Sequence, residues 1–440
     1  MMPGTVIKAA GVVGAGGAGF PTHVKASAKA EVVIANGAEC EPLLYKDKEL
    51  QKHFADLVVS GMELMMAATG AKSGVVGVKE KYREVMGAYG KALSGKPRLR
   101  LLGLDNYYPA GDEYSLVYEA TGQLIPQGGI PIQIGAVVDN VETLINVALA
   151  SKQPVTDTYL TVAGAVKKPV TLKLPVGTPI AEAIRLAGGA SVPEFGVLDG
   201  GAMMGRPAEP SEPLTKTSGG LIVLPKTHGL WRKKTASQRS IDLIGKSTCD
   251  QCSLCTEFCP RYLLGYAIQP HKVMRSLSFS GPDRKVWDEW SLLCCECSLC
   301  NLFACPEELD PRDVCVASKR ALAEKSVHWK NASLNTGAAP KVHPVREFRK
   351  IPLESLMRRI GLWDYRAEAP LDERVHQIGR VSIPLKQHIG APAQAVVSVG
   401  SKVLRGDLIG EIPEGKLGAR VHASISGTVR SVDTSVVIEA

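Results

Sequence analysis

The chain has 440 residues, 45% of them hydrophobic and 22% charged, with 11 cysteines and a formal net charge of +8. That length accommodates several domains and a sizeable core, and the composition is that of a globular protein. No apolar run approaches the roughly 18 residues of a membrane span, the N-terminus lacks a signal-peptide pattern, and the basic stretch Trp231-Arg232-Lys233-Lys234 belongs to no DNA-binding module, so a soluble cytoplasmic chain with no nucleic-acid partner and no direct membrane span is expected.

Residues 1–150 alternate β-type and helical segments. Glu31-Val32-Val33-Ile34-Ala35 reads as a buried strand, Lys48 to Thr69 as a helix ending at Gly70, Gly74-Val75-Val76-Gly77-Val78 as a second strand, and Tyr82 to Leu93 as a second helix. Such alternation argues an α/β layer with a largely parallel sheet. Ahead of it, Gly14-Ala15-Gly16-Gly17-Ala18-Gly19-Phe20-Pro21 contains G-x-G-x-x-G, whose glycines let backbone N–H groups approach a phosphate. Glu39, twenty residues past Gly19, stands where a dinucleotide-binding acid would hold a ribose. The loop alone is also open, as the lesser reading, to a plain tight turn.

Residues 155–225 change character. The run Tyr159–Val166, the strand Val170–Leu174 and the short helix Ile180–Ala187, stopped by Gly188-Gly189, give a ββα opening and suggest a β-grasp module. Pro210–Pro213 reads as a loop within it, and residues 226–246 as a basic linker.

Residues 247–325 carry two cysteine runs. Cys249, Cys252, Cys255 and Cys259 are spaced C-x2-C-x2-C-x3-C before Pro260; Cys294, Cys297, Cys300 and Cys305 repeat the pattern before Pro306, with four residues instead of three in the last gap. This is the ligand pattern of two [4Fe–4S] clusters, in which the fourth cysteine of each run serves the other cluster. The expected sets are Cys249, Cys252, Cys255 and Cys305, and Cys259, Cys294, Cys297 and Cys300. Paired structural zinc sites are the alternative, disfavoured by the Cys-Pro endings and the second complete run. Thirty-four mostly helix-compatible residues separate Cys259 from Cys294, which favours an α-helical ferredoxin closed by a helix around Val314, Ala317 and Ala321. Residues 326–370 read as a connector. Residues 376–440 show short strands with Gly-rich turns, an all-β sandwich or barrel. A lipoyl or biotin carrier has this look, but the turn Ala423-Ser424-Ile425-Ser426-Gly427 offers no lysine.

Four segments in the first domain resemble, in order, the NADH-oxidising flavoprotein of respiratory complex I and the RnfC polypeptide of the Rnf electron-transport complex. They are Gly14 to Lys25, Asn36-Gly37-Ala38-Glu39-Cys40-Glu41-Pro42, Tyr108-Pro109-Ala110-Gly111-Asp112-Glu113, and Val138-Asp139-Asn140-Val141-Glu142-Thr143. The resemblance covers nearly the whole chain and implies a multidomain α/β protein. A Rossmann-like FMN/NADH domain (1–150) is followed by an SLBB-like β-grasp (155–225), an α-helical two-[4Fe–4S] ferredoxin domain (247–325) and a barrel-sandwich hybrid (376–440). RnfC polypeptides usually carry the hybrid at the N-terminus; its C-terminal place here is similar to the propanediol-utilisation microcompartment branch of the family.

The resemblance implies that Gly14, Gly16, Gly17 and Gly19 line the FMN and NADH phosphates and that Lys25 pairs with negative charge on the cofactor. Asn36, Glu39, Tyr108, Gly111, Asp112, Asn140 and Thr143 would hydrogen-bond FMN; Phe20, Glu41 and Glu113 would contact NADH. Departures at Ala15, Ala38, Asp112 and Asp139 imply modest FMN affinity. Cys295 competes with its neighbour Cys294 as a ligand, the two-residue spacing favouring Cys294; Cys40 reads as packing and Cys315 as a buried thiol. His23 reads as surface polar, and no separate catalytic residue is implied.

Flavin takes a hydride's electron pair and releases it singly, so it belongs between NADH and the clusters. The expected order is NADH, FMN, first cluster, second cluster, acceptor. The resemblance implies cob(II)alamin as acceptor, reduced to cob(I)alamin for a corrinoid-dependent diol dehydratase, and a microcompartment lumen as location. No D-x-H-x-x-G corrinoid motif is present. Two alternatives stand beside it: a conduit to a ferredoxin or an iron–sulfur shell protein, and an Rnf-like assembly component.

Overall fold

A computed structural model describes residues 3–281 and 283–440. Its first sheet has four parallel strands in the order Leu99–Leu104, Ser73–Lys79, Val32–Gly37, Ala136–Asn140. The strands are Val- and Leu-rich and mostly buried, as a parallel sheet covered on its faces requires. The helix Lys46–Thr69 lies against the helix Val141–Leu149, and Gly61 makes this possible: a Cβ there would collide with the Leu144 carbonyl. Gly70 closes the longer helix in the left-handed region at φ 74°, its N–H on the Met66 carbonyl.

Strand order reverses between Val32–Gly37 and Ala136–Asn140, with Asn36 opposite Asn140 in register. That reversal opens a crevice at the carboxyl ends of the two strands, the usual ligand position in an open α/β sheet. The glycine loop corrects the plain dinucleotide-fold reading of G-x-G-x-x-G. It follows the helix Pro3–Ala9 and precedes every strand of the sheet, whereas the dinucleotide fingerprint turns directly from strand to helix.

The second sheet is mixed, in the order Val170–Pro175, Asp157–Gly164, Gly220–Pro225, Phe195–Asp199, Arg206–Ala208, with the helix Ile180–Leu186 packed on it. Its two central strands run parallel and the rest antiparallel, which is a β-grasp layout. The segment 226–246 is not an extended linker. It holds the helix Gly229–Lys234 and most of Gln238–Thr248, capped by His228 and Ser237 and anchored through Leu230 and Ile241.

Between the strands ending at Pro225 and beginning at Ile351, the described residues form only helices and loops. Here lie the cysteine runs, closed by the helix Pro311–Glu324 with Val314, Cys315 and Leu322 buried. The connector docks too, since Ile351–Pro352 pairs antiparallel with Tyr107–Tyr108.

The last domain is two antiparallel sheets of four and three strands around Val381, Ile383, Ile409, Val429, Val436 and Ile438. Its turn at Ala423–Ser424 is fully buried, and Ser424 donates to the Val176 carbonyl at 2.6 Å. A carrier lysine would have no access to solvent there. The loop Gln387–Ile389 instead covers the glycine loop, with the Ile389 N–H on the Gly19 carbonyl at 3.0 Å. Lys216 pins the corner, donating to the carbonyls of Gly11 (2.7 Å) and Arg420 (2.8 Å). No helix among the described residues is long and apolar enough to cross a membrane.

Candidate functional site: a flavin crevice joined to two thiol sets

The glycine loop is held open over the sheet crevice by its neighbours. The Gly14 N–H reaches the Phe20 carbonyl at 2.9 Å, and the Ala15 N–H reaches Thr143 Oγ1 at 2.9 Å. Lys46, fully enclosed, donates to the Ala15 carbonyl (3.1 Å) and to Glu142 (3.0 Å). Burial works against its charge, but Asp47 and Glu142 outweigh burial and hold the ammonium above its ordinary pKa. Asn140 caps the helix that begins at Val141 through its Oδ1 and donates to Asp47 at 2.7 Å. Gly16 lies against Asn140, and Gly17, at φ 101°, faces open space. Asn36 donates to the Gly111 carbonyl at 2.9 Å, and a side chain at Gly111 would press on the Ala38 carbonyl and Cys40. The structure thus gathers Gly14, Gly16, Gly17, Asn36, Gly111, Asn140 and Thr143 around one crevice, while Gly19 turns against Thr217, Gln387 and His388.

Charges inside the crevice are poised by burial. Glu39 is pushed up to about 7 by burial and then by Asp47. Lys79, with no exposed surface and no hydrogen-bond partner, sits beside Cys40 and Glu39 and is pushed down to about 8 by burial. Lys25 bonds the Val138 carbonyl at 2.6 Å and Asp139 at 3.2 Å, and burial raises the Asp139 carboxyl. Asp139 Oδ2 is a buried acceptor without a donor, and Asp47 Oδ1 has only the Lys46 ammonium, 3.4 Å away, beside it. Glu113 stands near Lys25 and Asp112, its pKa raised chiefly by burial. Buried groups left unpaired this way are uncommon and call for a partner. The unpaired Lys79 ammonium, the unpaired Asp139 oxygen and an open glycine loop fit FMN, which brings a phosphate, ring acceptors and ribityl hydroxyls. No local motif marks Lys46, Asp47 or Lys79, since only the fold turns them toward the crevice.

Three of the expected ligand-binding residues face other domains. Glu41 accepts the backbone N–H groups of Met203 (2.7 Å) and Met204 (2.8 Å) in the β-grasp, and burial pushes it up to about 7. Tyr108 is almost wholly buried, and its hydroxyl donates to the Cys297 carbonyl at 2.7 Å. Asp112 caps the helix Glu113–Thr121 and accepts from Arg261 at 2.8 Å. Arg261 follows Cys259-Pro260 directly, and its guanidinium lies 3.4 Å from the Tyr114 ring. Phe20 is half-buried beside the glycine loop.

The thiols divide between two pockets. Cys249, Cys252, Cys255 and Cys305 line one; Cys259, Cys294, Cys297 and Cys300 line the other, together with Cys295. The backbone repeats between the runs: Gln251 and Ser253 are left-handed at φ 62° and 65°, and Glu296 and Ser298 at 61° and 63°. This repeat matches Cys249 to Cys294 and sets Cys295 against Asp250. The extra residue before Cys305 is absorbed by a π-helical turn over Cys300–Ala304, whose closing bond runs from the Cys305 N–H to the Cys300 carbonyl at 3.2 Å.

The donor set suits a polynuclear cluster. Among the described residues no three His, Cys, Asp or Glu side chains are placed to hold a single metal ion; the thiols ring a space. Burial pushes the Cys255 thiol up to about 12, so four thiolates gather here only against bound positive charge. Contacts from the flavin motif reach the Cys297 set first, the reverse of the order in which the two runs occur in the chain. Cys252 alone among the eight expected ligands is exposed.

Comparison with known proteins gives four family matches in chain order. They are the Nuo51 FMN-binding domain at 7–149, the SLBB domain at 159–207, the 4Fe-4S dicluster domain at 248–310 and the RnfC barrel sandwich hybrid domain at 368–440. The cobalamin reductase PduS of Salmonella typhimurium is 39% identical, covering 98% of this chain and 94% of its own length. That of Citrobacter freundii is 39% identical over 97% and 93%. The C component of the Na(+)-translocating ferredoxin:NAD(+) oxidoreductase complex of Acetobacterium woodii is 35% identical over 58% and 56%. Among solved structures, an NAD+-reducing [NiFe]-hydrogenase in the H2-reduced state aligns with TM-score 0.48 and 20% identity, over 74% of this chain and 63% of that one.

Proposed function

The chain belongs to the cobalamin reductase PduS family and is an oxidoreductase, and from that premise we propose that it passes electrons from NADH to cob(II)alamin, forming cob(I)alamin for a corrinoid-dependent diol dehydratase. The junction between the flavin motif and the Cys297 set carries the reading: Tyr108 bonds the Cys297 carbonyl, and Asp112 pairs with Arg261. In this reading Gly14, Gly16, Gly17, Gly19, Lys25, Asn36, Glu39, Gly111, Asn140 and Thr143 hold FMN, with Lys79 added from the fold. Phe20 and Glu113 orient NADH; Glu41, Tyr108 and Asp112 fix the domains around the crevice. The bound groups bring complementary chemistry, FMN taking a hydride's electron pair and each of two [4Fe–4S] clusters carrying one electron. The Cys297 set adjoins the flavin motif, and the Cys249 set opens to solvent at Cys252. The same reading places the chain in the cytoplasm, in the lumen of a propanediol-utilisation microcompartment.

The exposure of Cys252 favours a second reading, in which an iron–sulfur protein, a shell protein among them, docks there and takes the electrons. Anaerobically purified protein, assayed for iron, sulfide and FMN and titrated with NADH, tests both. Roughly eight irons and flavin bleaching ahead of the clusters support the relay. Zinc in place of iron, or NADH oxidation indifferent to flavin, sinks it. Turnover with cob(II)alamin supports the first acceptor; turnover with viologen dye or iron–sulfur protein acceptors alone supports the second.

A further inference from the structure

The two thiol pockets differ in the charges that face them. Besides cysteines, the titratable side chains lining the Cys249 pocket are the acids Asp250 and Glu307 and the imidazole of His271, whose Nδ1 lies 2.8 Å from Thr256 Oγ1, whereas the charged side chain lining the Cys297 pocket is Arg312. Arg312 is only partly neutralised. Its Nη1 pairs with Asp313 at 2.6 Å and its Nη2 stands 3.5 Å from Glu296, but its Nε is buried with no hydrogen-bond partner. Arg261 is in a similar position on the flavin side. Its Nη2 bonds Asp112, its Nε is buried and unpartnered, and it lines a cavity of about 260 Å³ shared with Cys294 and Cys295. Two guanidinium N–H groups buried without acceptors, each beside the same thiols, are expensive unless something at that site accepts from them. Thiolate and bridging sulfide are such acceptors. The donors to sulfur seen in the two sets are neutral, Gln251 Nε2 on Cys249 at 3.2 Å, the Leu309 N–H on Cys305 at 3.4 Å and the Glu296 N–H on Cys294 at 3.4 Å, so the nearby guanidinium groups are what sets the Cys297 side apart.

Reduction adds negative charge to a cluster, so a nearby cation or a charged donor to sulfur favours the reduced form and nearby carboxylates oppose it. We propose that Arg312, seconded by Arg261, is a positioning and tuning residue that makes the Cys297 set the higher-potential site of the pair, while Asp250 and Glu307 keep the Cys249 set the lower. This inference rests on the reading that both sets carry [4Fe–4S] clusters. It makes the pair unequal by construction: the site against the flavin motif retains an electron more readily than the site at the surface.

The test is an EPR-monitored redox titration of the anaerobic holoprotein, with iron counted in the same samples. Wild type is expected to show two separate midpoints, and the spectrum altered by Cys252→Ser identifies the lower one. Arg312→Gln should shift the upper midpoint downward and leave the lower in place; Arg312→Lys should recover part of the shift; Glu307→Gln should raise the lower midpoint. Coincident wild-type midpoints, or full iron in Arg312→Gln with an unmoved upper midpoint, overturn the proposal. If Arg312→Gln loses iron, Arg312→Lys and Glu307→Gln decide, and an unmoved lower midpoint in Glu307→Gln overturns it. A wild-type protein with zinc, or with iron for one cluster, instead removes the reading beneath it.

Discussion

Tyr108 and Cys297 stand 189 residues apart in sequence and 2.7 Å apart in space, the phenol hydroxyl of one donating to the backbone carbonyl of the other. The bond joins a motif of the flavin domain to the loop that presents a cluster thiol. Because both partners are buried, it fixes the separation of the two sites and not merely the docking of their surfaces.

Replacing Tyr108 with Phe leaves the Cys297 carbonyl buried and unpaired, at a cost of about 1–3 kcal/mol. We expect iron content to hold, thermal stability to fall and NADH-driven bleaching of the clusters to slow in stopped flow. Bleaching at the wild-type rate would reduce the bond to a packing contact.

Asp139 competes for Lys25. Its carboxyl is wholly buried at 3.2 Å from the ammonium, so Lys25 offers a phosphate less positive charge than a free lysine would. Asp139→Asn should tighten FMN binding by roughly fivefold, about 1 kcal/mol. Quenching of flavin fluorescence on addition to apoprotein measures it; unchanged or weaker binding would show that Asp139 itself receives a flavin hydroxyl.

Glu39 supplies a pH signature. Burial and Asp47 raise it to about 7 from an ordinary value near 4.5, so the folded state binds its proton more tightly than the unfolded state does. Stability contributed by this group is present below the unfolded value and declines as pH rises toward about 7. The melting temperature of apoprotein, followed from pH 4.5 to 8, should therefore fall less steeply for Glu39→Gln than for wild type. Parallel curves would mean that solvent in the crevice has restored the ordinary value.

The crossed thiol sets predict which substitutions group together. Cys305→Ser should perturb the same EPR species as Cys252→Ser, and Cys259→Ser the same one as Cys297→Ser. Cys294→Ser should lose iron from the second species, while Cys295→Ser, opposite Asp250 in the repeat, should retain it. Pairing of Cys259 with Cys252 instead would break the assignment.

How much of this was legible from sequence depends on the range of the interaction. The parallel strands announced themselves through runs such as Val32-Val33-Ile34, because a covered sheet needs apolar residues on both faces. The cysteine spacing disclosed the thiol sets for an equally local reason. The segment 226–246 misled, since its buried apolar anchors are few and its basic residues, which look like those of a charged linker, are engaged far along the chain, Lys234 on the Met203 carbonyl and Lys233 on Asp310. Tyr108 and Glu41 lie in flavin motifs, yet their polar atoms are engaged by partners far along the chain, which no local pattern encodes. Lys79, Arg261 and Arg312 were silent for the same reason, although Arg261 directly follows a ligand and its Cys-Pro ending.

The loop Gln387–Ile389 resting on Gly19, and Lys216 spanning Gly11 and Arg420, bring the final domain back to the opening residues of the chain. The hybrid domain and the glycine loop are thus neighbours in space. Loosening the hybrid domain would therefore release the carbonyls of Gly19 and Gly11 together, so a disturbance in the last domain would be felt at once in the glycine loop.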